Sequence, residues 1–213
     1  MNNVTGNKFL LIDDHQVVRK GIKTLISENY QPKVIHEASD EESSLKLLKC
    51  NKYDLILMDI QMPNTDTLGL MEYINTEFPG TKVLIFSMNS ENIYAKRFLK
   101  AGAKGFVSKD VAMDEIIKAI NLALSNKRYI SDNLLEILTS ETGPNGTANP
   151  FQKLSVREFE IVRLLLAGET VNAICKLLNL QPSTVSTYKT RLLKKLSITN
   201  LLELKELYES FHK

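Results

Sequence analysis

The sequence predicts an α/β doubly wound five-stranded parallel sheet followed by a small all-α four-helix domain. Short unbroken apolar runs recur through the first 128 residues, separated by stretches with helical spacing. A polar, breaker-rich stretch follows, and beyond it every apolar pattern is helical. Continuous Leu, Ile and Val runs, as opposed to alternation, suit strands buried on both faces, as in a parallel sheet.

The five runs are Phe9-Leu10-Leu11-Ile12, Val34-Ile35, Leu55-Ile56-Leu57-Met58, Val83-Leu84-Ile85-Phe86 and Gly105-Phe106-Val107. Between and after them, apolar residues recur at spacings of three and four. The groups are Val18, Ile22, Leu25 and Ile26; Leu45 and Leu48; Leu70, Met71 and Ile74; Ala95, Phe98 and Leu99; then Ile116, Ile117, Ile120 and Leu124. Each marks one face of an amphipathic helix. Strands alternating with helices in this way describe a doubly wound domain over residues 1–128.

Residues 129–150 are expected to link the domains, with a short helix around Ser131 to Leu138. The stretch from Thr139 to Pro150 lacks any periodicity. Residues 151–213 form the second domain. There Ser155 and Glu158 make a capping box for a helix from Val156 to Ala167, which Gly168 ends. Val171, Ile174, Leu177 and Leu178 mark a second helix. Pro182 suits the first position of a third, whose inward residues are Val185, Leu192 and Leu196. Leu201, Leu204 and Leu207 mark a fourth.

Composition narrows the function classes. With 43% hydrophobic and 24% charged residues the chain can bury a core, which excludes a disordered polymer. No apolar run approaches the roughly 20 residues of a membrane span. The opening residues lack the basic-then-apolar order of a signal peptide. Cys50 and Cys175 stand apart without metal-ligand spacing and are expected to be small core residues in a reducing compartment, so the cytoplasm is the expected location. Net charge is only +2, but its distribution is uneven: residues 151–213 hold ten bases and six acids. Between Thr170 and Leu202 there is no acid, while Lys176, Lys189, Arg191, Lys194 and Lys195 all fall there. Such a stretch points to a phosphate-backbone partner over a merely solvated face.

In doubly wound sheets the ligand site lies beyond the carboxyl ends of the strands. Asp13 and Asp14 follow the first run, Asp59 the third, Ser87 the fourth and Lys109 the fifth. Any one of these alone would read as a turn or a solvated residue; together they describe a site. Converging carboxylates repel and need a cation, and magnesium favours oxygen ligands together with phosphate. An aspartate can act as a nucleophile to form an acyl phosphate, while a hydroxyl and an ammonium can meet phosphoryl oxygens. Asp59, behind the central-looking run Leu55 to Met58, is the best nucleophile candidate.

With the acidic pair, Met58-Asp59-Ile60-Gln61-Met62-Pro63 and Gly102-Ala103-Lys104-Gly105-Phe106-Val107-Ser108-Lys109, residues 8–128 resemble a response-regulator receiver, a flavodoxin-like domain. The resemblance implies Asp59 as phosphoacceptor and a Mg2+ ion held by Asp13, Asp14, Asp59 and the Gln61 backbone carbonyl. It makes Ser87 the switch hydroxyl, Phe106 the switch aromatic and Lys109 the phosphate-binding cation. Ser and Phe replace the commoner Thr and Tyr, so the switch is expected to rest on packing. The loop Pro63-Asn64-Thr65-Asp66-Thr67-Leu68-Gly69 is longer and more polar than usual and is expected to alter access to Asp59.

The stretch Leu154 to Leu207 resembles the LuxR/NarL-type helix-turn-helix. Its carriers are Leu154-Ser155-Val156-Arg157-Glu158, Gly168, Ile174 and Ser183-Thr184-Val185-Ser186-Thr187-Tyr188-Lys189 running to Lys194-Lys195-Leu196. The resemblance makes Pro182 to Leu196 the recognition helix. It assigns base reading to Ser186, Thr187 and Thr190, and phosphate contacts to Thr184, Tyr188, Lys189, Arg191 and Lys194. Ser186 stands where the family commonly has Lys, Tyr188 where it has His, and Val171-Asn172-Ala173-Ile174-Cys175 where it often has Asn-Lys-Glu-Ile-Ala.

The combined expectation is a DNA-binding transcriptional response regulator, not an enzyme, with no membrane partner. It would be phosphorylated by a sensor histidine kinase and bind double-stranded DNA as a homodimer when active. Two rivals differ in class. A metal-dependent phosphatase would read Asp-x-Asp at the first strand, where this chain has Asp13-Asp14-His15. A phosphorylation-independent DNA-binding protein, with the receiver only as a dimerisation module, would have no need of the acidic, hydroxyl and lysine set.

Overall fold

The computed structural model describes residues 6–62, 65–88, 91–140, 150–178 and 180–211. The chain divides into two compact units, Met1–Ser140 and Glu141–Lys213.

The first unit is the doubly wound α/β domain that the apolar runs predict. Strands β1 (Lys8–Ile12), β2 (Val34–Ala38), β3 (Leu55–Met58), β4 (Lys82–Ser87) and β5 (Gly105–Ser108) form one parallel sheet in the order β2-β1-β3-β4-β5. Helices α1 (Gln16–Tyr30), α2 (Glu41–Cys50), α3 (Thr67–Glu77), α4 (Glu91–Lys100) and α5 (Met113–Leu124) alternate with the strands. Every residue of β3, and all of β1 after Lys8, is buried, as a sheet covered on both faces requires. On one face Phe9, Leu11, Leu55, Leu57, Leu84, Phe86 and Val107 pack with α1 and α5 residues in one core cluster. Their sequence neighbours Leu10, Ile12, Ile56, Met58, Ile85 and Phe106 point to the opposite face and are just as buried. Tyr30 closes the first face: its hydroxyl donates to the Ile117 carbonyl and lies 3.1 Å from Asn121 Oδ1, and burial pushes its pKa up to about 12.

The register positions the site. Ile12 lies beside Met58, Met58 beside Ile85, and Ser87 beside Ser108. Backbone bonds continue the ladder past the strand ends, from Asp13 N–H to Ala38, from Asp59 N–H to Ile12 and from Lys109 N–H to Ser87. Strand order reverses between β1 and β3, which is where a doubly wound sheet opens a crevice.

Beyond α5 the chain stays with this unit. Tyr129, 3% exposed, makes an isolated parallel bridge to Gly105. A Cβ on Gly105 would meet Tyr129 atoms at 2.9 Å, so only glycine lets the two backbones approach. Helix α6 (Asp132–Ser140) follows and buries Leu134. Ser131 Oγ accepts from the Leu134 N–H as its cap and donates to Glu91 Oε2 at the start of α4, 2.7 Å away. Residues 129–140 of the 129–150 segment thus pack as structure on the receiver-like unit, and Pro150 opens the second unit; residues 141–149 lie outside the described residues.

The second unit is helical: a 3₁₀ turn (Pro150–Lys153), α7 (Val156–Leu166), α8 (Val171–Leu178), α9 (Pro182–Leu196) and α10 (Leu201–Phe211). Ser155 and Glu158 form the capping box expected at α7. Gly168, at φ +82°, closes the helix with its N–H on the Leu165 carbonyl and that of Glu169 on Leu164. Phe151, Phe159, Ile174, Val185, Leu192, Leu196 and Leu204 fill the core.

The cysteines depart from expectation. Cys50 is exposed and Cys175 only half-buried. Cys50 is the last residue of α2 and falls off the helical face that buries Ser44 and Leu48.

Candidate functional site

The strand-end residues converge. Asp13, Asp59 and Ser87 are buried, at 4%, 3% and 0% exposure, although carboxylates rarely are unless paired. Their partner is Lys109, whose Nζ lies 2.6 Å from Asp13 Oδ2 and 2.7 Å from Asp59 Oδ2. The same ammonium lies 5.9 Å from the centre of the Phe86 ring. Burial works against the lysine charge, but the hydrogen bonds and the attraction of Asp13 and Asp59 outweigh it and hold its pKa above the ordinary lysine value. One cation therefore ties together the ends of β1, β3 and β5.

The other carboxylate oxygens are held by backbone. His15 N–H donates to Asp13 Oδ1 at 2.8 Å, and Gln61 N–H to Asp59 Oδ1 at 3.1 Å. Asp13, Asp14, His15 and Asp59 each bring a donor atom within 4.8 Å of the others. Three carboxylates in so small a volume form an acidic pocket whose hard oxygen donors fit magnesium. Phe106 is buried on β5 beside Ile85, with its ring inside the domain. Pro63 and Asn64 lie outside the described residues, and with them the expected alteration of that loop. Just after them, Asp66 caps α3 by accepting from the Gly69 N–H, so Gly69 belongs to the helix and not to the turn.

Sequence reasoning missed Arg19. Its guanidinium donates to the Asp13 carbonyl at 2.5 Å and to Glu37 Oε2 at 3.2 Å, clamping the end of β1 to α1 and β2. The signal was a cation next to Val18 on the inward stripe of α1, a place where an unpaired charge would not be expected. His15 Nδ1 lies 2.8 Å from Asp14 Oδ1.

On α9, Val185, Leu192 and Leu196 are buried, and Ser183, Ser186, Thr187, Thr190, Arg191 and Lys194 are exposed. Thr184, Tyr188 and Lys189 are half-buried. Lys195 is not free for a ligand: it pairs with Glu158 Oε2 at 2.7 Å, joining the end of α9 to the start of α7. Burial raises the Glu158 pKa, but the Lys195 bond and the Ser155 N–H outweigh this, leaving a value below the usual carboxylate range. A depressed folded value means stability that is present above the ordinary glutamate pKa and lost as pH falls through the folded one. Glu158→Gln should therefore cost the second unit about 1–2 kcal/mol at neutral pH, a modest figure because Lys195 is 43% exposed and screened. Thermal unfolding across pH should show that gap closing as pH falls below the ordinary glutamate range.

Among the described residues no helix is long and apolar enough to cross a membrane.

Comparison with known proteins finds two families on this chain. Residues 9–121 match the response regulator receiver domain, and residues 152–207 match the bacterial regulatory proteins of the luxR family. The response regulator UvrY of Escherichia coli is 36% identical over 199 residues, covering 93% of this chain and 91% of that protein. The response regulator GacA of Pseudomonas aeruginosa is 33% identical over 198 residues, with 92% of each covered. Among solved structures, RcsB from Salmonella enterica serovar Typhimurium, bound to promoter rprA in the presence of the phosphomimetic BeF3-, superposes with a TM-score of 0.63. It is 24% identical, covering 95% of this chain and 98% of that one, so it speaks for the fold.

Proposed function

The chain belongs to the two-component response regulators that join a receiver domain to a LuxR-type DNA-binding domain, and on that premise we propose that phosphorylation of Asp59 switches DNA binding through α9. The observation that carries this reading is the buried Lys109 ammonium shared by Asp13 and Asp59. A purely structural sheet end gains little from two buried carboxylates and a lysine, because desolvating them costs about as much as their attraction returns.

Asp59 Oδ attacks the phosphorus of a sensor kinase's phosphohistidine; the P–O bond forms as the P–N bond breaks. Asp13, Asp14, Asp59 and the Gln61 backbone carbonyl would hold a magnesium ion, which would neutralise charge on the phosphoryl oxygens. Lys109 keeps its contact to the modified side chain and neutralises a phosphoryl oxygen, and the Ser87 hydroxyl donates to another. Drawing Ser87 and Lys109 inward moves the ends of β4 and β5, and Phe106 repacks by shape alone since it has no hydroxyl to bond.

In the second unit, Ser186, Thr187 and Thr190 face base edges, while Thr184, Tyr188, Lys189, Arg191 and Lys194 hold phosphates. A single small module makes few phosphate contacts, so tight binding uses a homodimer on paired half-sites. The functional domains are residues 1–128 and 151–213; of the segment 129–150 between them, Tyr129 to Ser140 stays packed on the first. The protein works in the cytoplasm, where its kinase phosphorylates it.

Intact mass after incubation with acetyl phosphate and magnesium tests the reading. Wild type should gain one phosphoryl group and Asp59→Ala none. A folded, magnesium-loaded protein that gains nothing would instead support a receiver that serves only as a dimerisation module.

A further inference from the structure

Helix α9 turns two chemically different surfaces outward. Its early turns expose hydroxyls, on Ser183, Ser186, Thr187 and Thr190; its later turns expose Arg191 and Lys194. Three of the hydroxyls already spend their proton within the helix. Ser186 Oγ donates to the Pro182 carbonyl at 2.9 Å, Thr187 Oγ1 to that of Ser183 at 2.9 Å, and Thr190 Oγ1 to that of Ser186 at 3.0 Å. Such back-bonding is local and needs no ligand to hold it. What each oxygen then presents outward is its lone pairs, flanked on the threonines by a methyl group.

We infer that this face reads DNA as a hydrogen-bond acceptor, selecting adenine and cytosine amino groups together with thymine methyls, and disfavouring guanine. The inference rests on the reading of α9 as the major-groove helix. In that groove only adenine N6 and cytosine N4 carry donors, and guanine shows the acceptors N7 and O6. An acceptor pressed against guanine leaves lone pairs desolvated and unmatched. Turning the hydroxyl round to donate would forfeit the bond to the helix carbonyl, exchanging one hydrogen bond for another without gain.

The cations do not reverse this preference. Guanine is most often read by a bidentate Arg or Lys. Lys189, the sole cation between Pro182 and Thr190, is only half-exposed, and the exposed Arg191 and Lys194 come after the hydroxyl residues, in the C-terminal half of the helix, whereas the early side chains of a recognition helix are the ones that meet base edges. An A·T pair best satisfies the hydroxyl face, since adenine supplies the donor and thymine a methyl to meet those of Thr187 and Thr190. A C·G pair offers its donor beside the O6 of guanine.

The test uses the full chain, phosphorylated with acetyl phosphate and magnesium. Sites are selected from a random duplex pool, and the selected duplex is then rebuilt with single base analogues and its affinity measured by fluorescence anisotropy. Replacing a core adenine by purine, which lacks the N6 amine, should weaken binding about 2- to 10-fold. Replacing guanine by 7-deazaguanine should change nothing. Thr187→Val keeps a methyl and removes the oxygen, so it should erase the purine penalty at one position while leaving a thymine-to-uracil penalty in place. A guanine core in which 7-deazaguanine weakens binding and purine is silent would overturn the inference and leave α9 as the DNA helix. Affinity that no α9 substitution alters, on any duplex, would overturn the α9 reading and the inference with it.

Discussion

Lys109→Met should lower the stability of the first unit by about 3–5 kcal/mol in metal-free solution, and millimolar magnesium should recover much of that loss. Methionine keeps most of the side-chain volume, so the variant removes a charge with little change in packing. What it leaves are Asp13 and Asp59, whose side chains are 6% and 3% exposed, each having lost a contact of 2.6 or 2.7 Å to the ammonium. Two carboxylates sharing a buried site repel each other, and the backbone donors from His15 and Gln61 meet only one oxygen of each. A divalent cation that binds the folded pocket and not the unfolded chain stabilises by mass action. In wild type that gain is partly spent displacing Lys109 from its carboxylates; in the variant it is not. Thermal unfolding in EDTA and in magnesium, for both proteins, reads the difference. Magnesium should raise the variant's midpoint more than the wild type's. An equal loss in both conditions would mean that the residues do not form a cation pocket. Acetyl phosphate labelling of the variant should also slow, because the phosphoryl oxygens lose their ammonium.

Much of this pocket was legible in the chain. Each site residue ends an apolar run, and a parallel sheet brings such ends to one edge, so Asp13, Asp59, Ser87 and Lys109 could be grouped before any distance was known. The reading reached no further than that rule does. Arg19 was passed over because its partners, the Asp13 carbonyl and Glu37 on β2, are set by register and not by sequence separation. Tyr129 looked like the start of a linker because its bridge to Gly105 is a single parallel contact with no periodic signature. Cys50 was assigned to the core from residue type, but its helical phase places it on the solvent face. On α9 the inward stripe followed from spacing and the base-reading hydroxyls from the resemblance, whereas the direction of each hydroxyl proton depends on rotamers that composition does not encode. In each case the pattern that recurs along the chain was readable and the contact that occurs once was not.

The second unit gives the other large effect. Phe159→Ala should destabilise it by about 3–5 kcal/mol and abolish DNA binding, while leaving labelling of Asp59 intact. Phe159 is 1% exposed, with its ring edge-on to Phe151 at 6.0 Å, and Phe151 in turn meets Tyr208 of α10 at 5.5 Å. Truncating it removes one end of that stack, strips Phe151 of its edge-on partner, and opens a cavity at the root of α7, the helix tied to α9 through Glu158 and Lys195. A domain of roughly 60 residues buries proportionately little surface, and its whole stability at about 0.05–0.15 kcal/mol per residue is comparable to the loss. The folded recognition helix should then be a minor species at room temperature, since an isolated helix of this length is marginal in water. The first unit has a core of its own, built from the sheet with α1 and α5, and nothing in that core is touched. Calorimetry should therefore show one transition moved to low temperature and one unmoved, and intact mass should still report one phosphoryl group. Joint loss of both transitions would mean that the two units unfold as one, and that phosphorylation at the strand ends and order in the DNA-binding helices are coupled through stability itself.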